Sequence, residues 1–245
     1  MKSLIVFVFS FFTFSTAMAS DNLLRHVLAT AQSMSALYME GLSEGNEKYR
    51  QEFLQYQLEA KSSLRRYADE NGESSGELTQ QWQKISPKLK LVYSRDEGWT
   101  LDFHTRFGFR SYLSRVYQLV EKNQSSYSSK NKQLLLAVVK LESMVARFFD
   151  LSSSVNGSFS LTLSDANQLD PKKISAQFKQ ILDQLTQESQ YPSNKQLLRA
   201  KQKWLFIEQG VINFSQKSPN FIVYATKQSI RKTLLASSKK LHASQ

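Results

Sequence analysis

The chain has no cysteine, only eight glycines and four prolines in 245 residues, three histidines, and a single apolar run too short to cross a bilayer. Each shortage excludes something. Without cysteine there is neither a disulfide framework nor a lipid-modified cysteine near the amino terminus, so stability must come from the core alone. With 41% hydrophobic residues, a core of ordinary size is available. Glycine and proline fall between apolar-periodic stretches rather than inside them, the punctuation of a helical protein. His26, His104 and His242 share no spacing that places two on one helical face, and no His-Glu-x-x-His occurs. No zinc site, no phosphate-binding glycine loop and no cofactor is therefore expected.

What the chain does have begins with an address. Lys2 precedes an apolar run over 4–14, which ends in the small-residue triplet Ala17-Met18-Ala19. That order is the one found in cleavable secretory signals, with the cut expected before Ser20. A bilayer core needs about 20 apolar residues, and Asp21 and Arg25 follow too soon to extend the run. Residues 1–19 therefore read as a cleaved signal and 20–245 as one helical domain without a transmembrane anchor. Export without disulfides fits a bacterial envelope, and the expected location is periplasmic or secreted.

Within 20–245 the apolar residues recur at steps of three and four. One stripe runs through Leu24, Val27, Leu28, Ala31, Met34, Leu37 and Tyr38, and a second through Tyr49, Phe53, Tyr56, Ala60, Leu64 and Tyr67. Gly41 and Gly45 separate them, with Asn46 available as an N-cap, so either a helical hairpin or one long broken helix fits. Ser86-Pro87 is expected to open a further helix, since serine caps and proline suits a first turn. Helices are also expected over Phe103 to Val120, with Gly108 as a weak point, and over Leu134 to Leu151, the most regular stripe. Asp170-Pro171, Pro192-Ser193 and Ser218-Pro219 each restart helix. The result is an all-α bundle of about seven or eight helices, with an irregular loop near 152–169 that contains the alternating segment 158–163.

Charge divides the chain. Of 32 Lys and Arg, one precedes Ser20 and thirteen follow Asp170, leaving 18; of 21 Asp and Glu, three follow Asp170, also leaving 18. Residues 20–170 are thus neutral, and 171–245 hold the whole excess of ten positive charges. Lys195, Arg199 and Lys203 fall at four-residue steps, and Lys227 and Arg231 repeat the step. Like charges four apart cost a helix a few tenths of a kcal/mol per pair, so folding does not favour them. An anionic partner would reward them. Outside the cytoplasm the candidates are anionic lipid headgroups or lipopolysaccharide, an acidic wall polymer, an acidic protein face, or nucleic acid. Trp204, Phe206, Phe214, Phe221 and Tyr224 lie among these cations, but Trp204 and Phe214 match a core stripe, which argues against base stacking and nucleic acid.

Three constellations resemble catalytic or metal sites. Gly72-Glu-Ser-Ser-Gly76 matches Gly-x-Ser-x-Gly, with Ser74 able in principle to pair with Asp102 and His104, but that pattern acts only on a strand-to-helix turn. Asp165, Asn167 and Asp170 lack the turn glycine and closing glutamate of a calcium loop. Asp96, Glu97, Asp102 and His104 flank Gly98-Trp99, as paired carboxylates for glycan chemistry would, though a helix junction explains them as well. The reading that results is a non-catalytic envelope interaction module with its basic face on Lys195, Arg199, Lys203, Lys227 and Arg231. The alternatives are a ligand-sensing bundle using Tyr38, Tyr49, Phe103 and Phe107, and a wall-glycan enzyme.

Overall fold

The structure, a computed structural model of the full chain, describes residues 3–95, 98–152, 169–189, 193–214 and 219–242, with side chains throughout except at 3–20, 73–74, 193 and 238–242. Among the described residues it is an all-α bundle of eight helices with one small antiparallel hairpin. In chain order these are α1 (Ser3–Leu42), α2 (Glu47–Asn71), α3 (Gly76–Ile85), β1 (Val92–Ser94), β2 (Gly98–Thr100), α4 (Phe103–Lys122), α5 (Lys130–Ser152), α6 (Pro171–Gln187), α7 (Ser193–Ile212) and α8 (Asn220–His242). No described helix is long and apolar enough to cross a membrane. The irregular loop expected near 152–169 lies outside the described residues apart from its two ends.

The first two stripes form a helical hairpin, not one broken helix. Gly45 takes a φ of +87° and donates its N–H to the Glu40 carbonyl, ending α1, and the Asn46 side chain accepts from the Lys48 N–H to start α2. The α2 residues Phe53, Tyr56, Ala60 and Leu64 are buried as their spacing requires. Each fully buried Phe or Leu contributes about 1.5–3 kcal/mol. From Leu23 to Met39, α1 is buried on almost every side, and its small residues Ala29, Ala31, Ser33, Ser35 and Ala36 leave room for neighbours all round. It packs against α2, α4 and α5, while α5 in turn contacts α6, α7 and α8. These two helices are the centre of the bundle.

Ser86-Pro87 does not open a long helix. It forms one 3₁₀ turn, Ser86–Lys88, and the chain then enters the β1–β2 hairpin, with Tyr93 paired to Trp99. The hairpin lies on the carboxyl end of α1. A Cβ on Gly41 would come within 2.3 Å of the Trp99 ring, so only glycine lets the indole lie flat there. The Tyr93 hydroxyl reaches the Glu40 carboxylate at 3.5 Å. Next, Asp102 caps α4 by accepting from the Thr105 N–H at 2.8 Å, and α4 runs through Gly108 unbroken.

Inside the core, the His26 Nδ1–H donates to the Ala60 carbonyl at 2.9 Å, and Nε2 accepts from the Tyr112 hydroxyl at 2.6 Å. Trp82 meets the imidazole edge-on at 5.5 Å. Burial lowers the His26 pKa to about 4, against the bond to Ala60, which raises it. A neutral folded imidazole below the unfolded value of about 6.5 means that the unfolded chain binds the extra proton first. Stability is therefore complete above pH ~6.5 and falls by about 3 kcal/mol as pH drops toward 4. Urea unfolding across this window, for the parent and His26→Gln, should show the slope only in the parent. The same slope in both proteins would exclude His26 as its source.

Candidate partner-binding face

The last two helices pack antiparallel: the Lys203 ammonium donates to the Ser229 hydroxyl at 2.6 Å, and Ser237 reaches Gln196 at 3.2 Å. On α7 the inward side is Leu197, Ala200, Trp204, Ile207 and Val211, all buried. Trp204 is a core residue as its spacing implies; its indole N–H donates to the Ser175 hydroxyl at 3.0 Å, and its ring meets Phe178 edge-on. Phe214 is half-buried against the same core. Seating this face leaves Lys195, Arg199 and Lys203 outward, and all three are exposed.

Lys227 and Arg231 are different. Lys227 is fully buried, its ammonium 2.5 Å from the Glu142 carboxylate of α5. Burial lowers its pKa below the usual lysine range, opposed by Glu142, which raises it. Arg231 is mostly buried, 3.7 Å from the other Glu142 oxygen, and donates to the Tyr56 hydroxyl at 3.0 Å. Both therefore leave the expected basic face and become part of the α5–α8 contact. The reason is the actual stripe of α8, Val223, Lys227, Ile230 and Leu234, which buries Lys227 with its apolar neighbours and leaves Ile222 and Ala225 outside.

The outward arcs of the two helices adjoin across a shallow groove lined by Gln202, Lys203 and Phe206 on α7 and Ala225, Thr226 and Ser229 on α8. Phe206 is 73% exposed, and Leu198, Leu205, Phe221 and Ile222 are each close to half exposed. α8 contains no acidic residue. α7 contains one, Glu208, turned inward onto Lys179 at 2.6 Å and the Ser175 hydroxyl at 2.5 Å. The exposed arcs are consequently basic and apolar together, with no carboxylate. Sequence reading recognised the charge but not the apolar share, because Phe206, Phe221 and Tyr224 cannot be sorted without knowing which way each helix faces. Tyr224 is buried, donating to Glu52.

The other constellations come out as follows. Gly72–Ser75 is a 3₁₀ turn between α2 and α3, with no strand before it, so the serine pattern is not a nucleophile elbow. Asp102 serves as the α4 cap, and Asp170 as the α6 cap by accepting from Lys172 and Lys173 N–H groups. Asp96, Glu97, Asp165 and Asn167 lie outside the described residues. His104, Asp102, Lys84, Lys88 and Tyr112 line an open cleft of about 550 Å³ between α3 and α4. Tyr38 is buried and donates to Asp150, Tyr49 packs on Phe221 and Tyr224, and Phe103 and Phe107 stack on each other at the surface. Among the described residues no group of three or more His, Asp or Glu is placed to hold a metal ion.

Sequence reading missed two buried ionic clusters. In one, Asp150 accepts from Arg106, Arg110, Arg147 and Tyr38; in the other, Glu142 meets Lys227 and Arg231. The available signal was α5 itself, which is apolar on every side between Leu134 and Phe149, so its few charges had to enter the core. With this geometry in hand, comparison with protein-family models, curated proteins and solved structures finds no match to the chain.

Proposed function

We propose that this chain is a non-catalytic, exported helical-bundle protein, an interaction or accessory module of a bacterial cell envelope that engages an acidic component through α7 and α8. The observation that carries this reading is the carboxylate-free outward arc of those helices, with Lys195, Arg199 and Lys203 in one exposed row. Folding energy does not explain the row, since its members repel one another, and an anionic surface offsets that repulsion. Export is supported by the charge, apolar run and Ala-x-Ala order of residues 1–19. The ligand-sensing alternative relied on four aromatics, of which Tyr38 is buried against Asp150 while Phe103 and Phe107 stack on each other at the surface, so the α7–α8 face has the stronger support.

The test is expression of the full chain in a bacterial host. Its envelope-fraction form should begin at Ser20, and its retention on envelope material at low salt should be lost in the triple variant Lys195→Gln, Arg199→Gln, Lys203→Gln. An unprocessed Met1 terminus in the cytoplasm overturns the address. Equal retention of parent and triple variant overturns the basic face.

A further inference from the structure

The geometry points to an anionic lipid bilayer as the acidic component that the α7–α8 face meets, with Phe206 and its neighbours entering the headgroup layer while Lys195, Arg199 and Lys203 contact phosphates. This rests on the basic-face reading and narrows it to one occupant. A purely electrostatic contact needs cations alone. Here the exposed arc of α7 alternates both kinds of residue: Lys195, Leu198, Arg199, Lys203, Leu205 and Phe206 lie within it, all exposed.

The neighbouring helix continues the pattern. Phe221 and Ile222 are about half exposed at one end of α8, and Lys232 and Leu235 are exposed further along. Two antiparallel helices thus present one surface on which cations and large apolar side chains interleave, as interfacial helices do. An exposed phenylalanine at 73% is costly in water and is relieved at the acyl boundary. Long basic side chains can extend from the same level to the phosphates above it. An acidic protein or wall polymer would match the charge and leave these apolar groups in water. A negatively charged lipid surface is complementary to both halves, and the missing carboxylates remove the groups it would repel.

The experiment is flotation of the protein, expressed from the full chain, with vesicles of phosphatidylglycerol and phosphatidylethanolamine. Pure phosphatidylcholine vesicles and a polyglutamate resin serve as the comparison surfaces. Binding to the anionic vesicles is expected, with little binding to phosphatidylcholine. The triple glutamine variant should lose about a hundredfold in affinity at low salt, near fivefold per basic residue. Phe206→Ser should lose about tenfold or more on vesicles and nothing on polyglutamate. Because Phe206 is exposed, its thermal midpoint should match the parent, which separates loss of binding from loss of fold.

If the protein is held by polyglutamate through its cations but ignores the vesicles, or if Phe206→Ser floats like the parent, the lipid assignment is wrong and the acidic-partner reading stands. If the triple variant binds every surface like the parent, both fall.

Discussion

Replacing Glu142 by alanine is expected to destabilise the fold by about 3–5 kcal/mol, lowering the thermal midpoint by roughly 10 °C for a chain of this size. Glu142 on α5 and Lys227 on α8 have no exposed side-chain surface, and their charged atoms are 2.5 Å apart. The Lys227 ammonium also lies 4.6 Å from the centre of the Tyr224 ring. Removing the carboxylate leaves an ammonium, with Arg231 beside it, in a site that water does not reach. The cost is that of an unpaired buried charge, larger than the net value of the pair itself. Replacing both partners together, Glu142→Leu with Lys227→Met, should therefore recover most of the loss. Circular-dichroism melting of the parent and these two variants checks this. If the single and double variants melt alike, the cost does not come from the unpaired ammonium.

Replacing Asp150 should have an effect of similar size, by a different route. Its carboxylate accepts from Arg110 at 2.6 Å, Arg106 at 2.9 Å, Arg147 at 3.0 Å and the Tyr38 hydroxyl at 2.8 Å. These donors come from α4, α5 and α1, so one carboxylate ties together three helices. Asp150→Ala leaves three guanidinium groups facing one another in a largely buried cluster, a loss of about 3–5 kcal/mol. Burial raises the Asp150 pKa, but Arg110, Arg106 and Arg147 outweigh it and hold the carboxyl below its ordinary range. A depressed folded value means that this stabilisation is present above about pH 4, the unfolded value, and is lost as pH falls further through the folded one. Acid unfolding below about pH 4 should accordingly be flatter in Asp150→Asn than in the parent. An unchanged acid slope would remove Asp150 as its cause. The His26 effect lies higher, between about pH 6.5 and 4, so the two can be read separately.

Much of the helical framework is legible from spacing because each stripe states which residues share a face. The caps at Asn46, Asp102 and Asp170 are equally local, one side chain meeting an N–H two or three residues on. The hairpin was not legible: strands of three residues give no periodicity, and Trp99 is placed by Gly41, almost sixty positions earlier in the chain. The binding face was half legible for a related reason. Lys195-Arg199 and Lys227-Arg231 have the same four-residue step, which fixes a shared face without saying where that face looks. Glu142 determines that for Lys227, from 85 residues away.

The distances along the chain between bonded partners bear on the order in which the fold closes. Tyr38 finds Asp150 after 112 residues, Tyr224 is bonded to Glu52 across 172, and Arg231 to Tyr56 across 175. Helix α1, first to emerge amino-terminally, cannot bury its second side until α5 exists, and α2 lacks two of its partners until α8 is complete. Closing contacts this remote requires loop entropy to be met before packing rewards it, so such cores form late and slowly. A bundle closed by its last helix stays open until that helix is available. It locks only once the carboxyl-terminal helix has docked on α2 and α5.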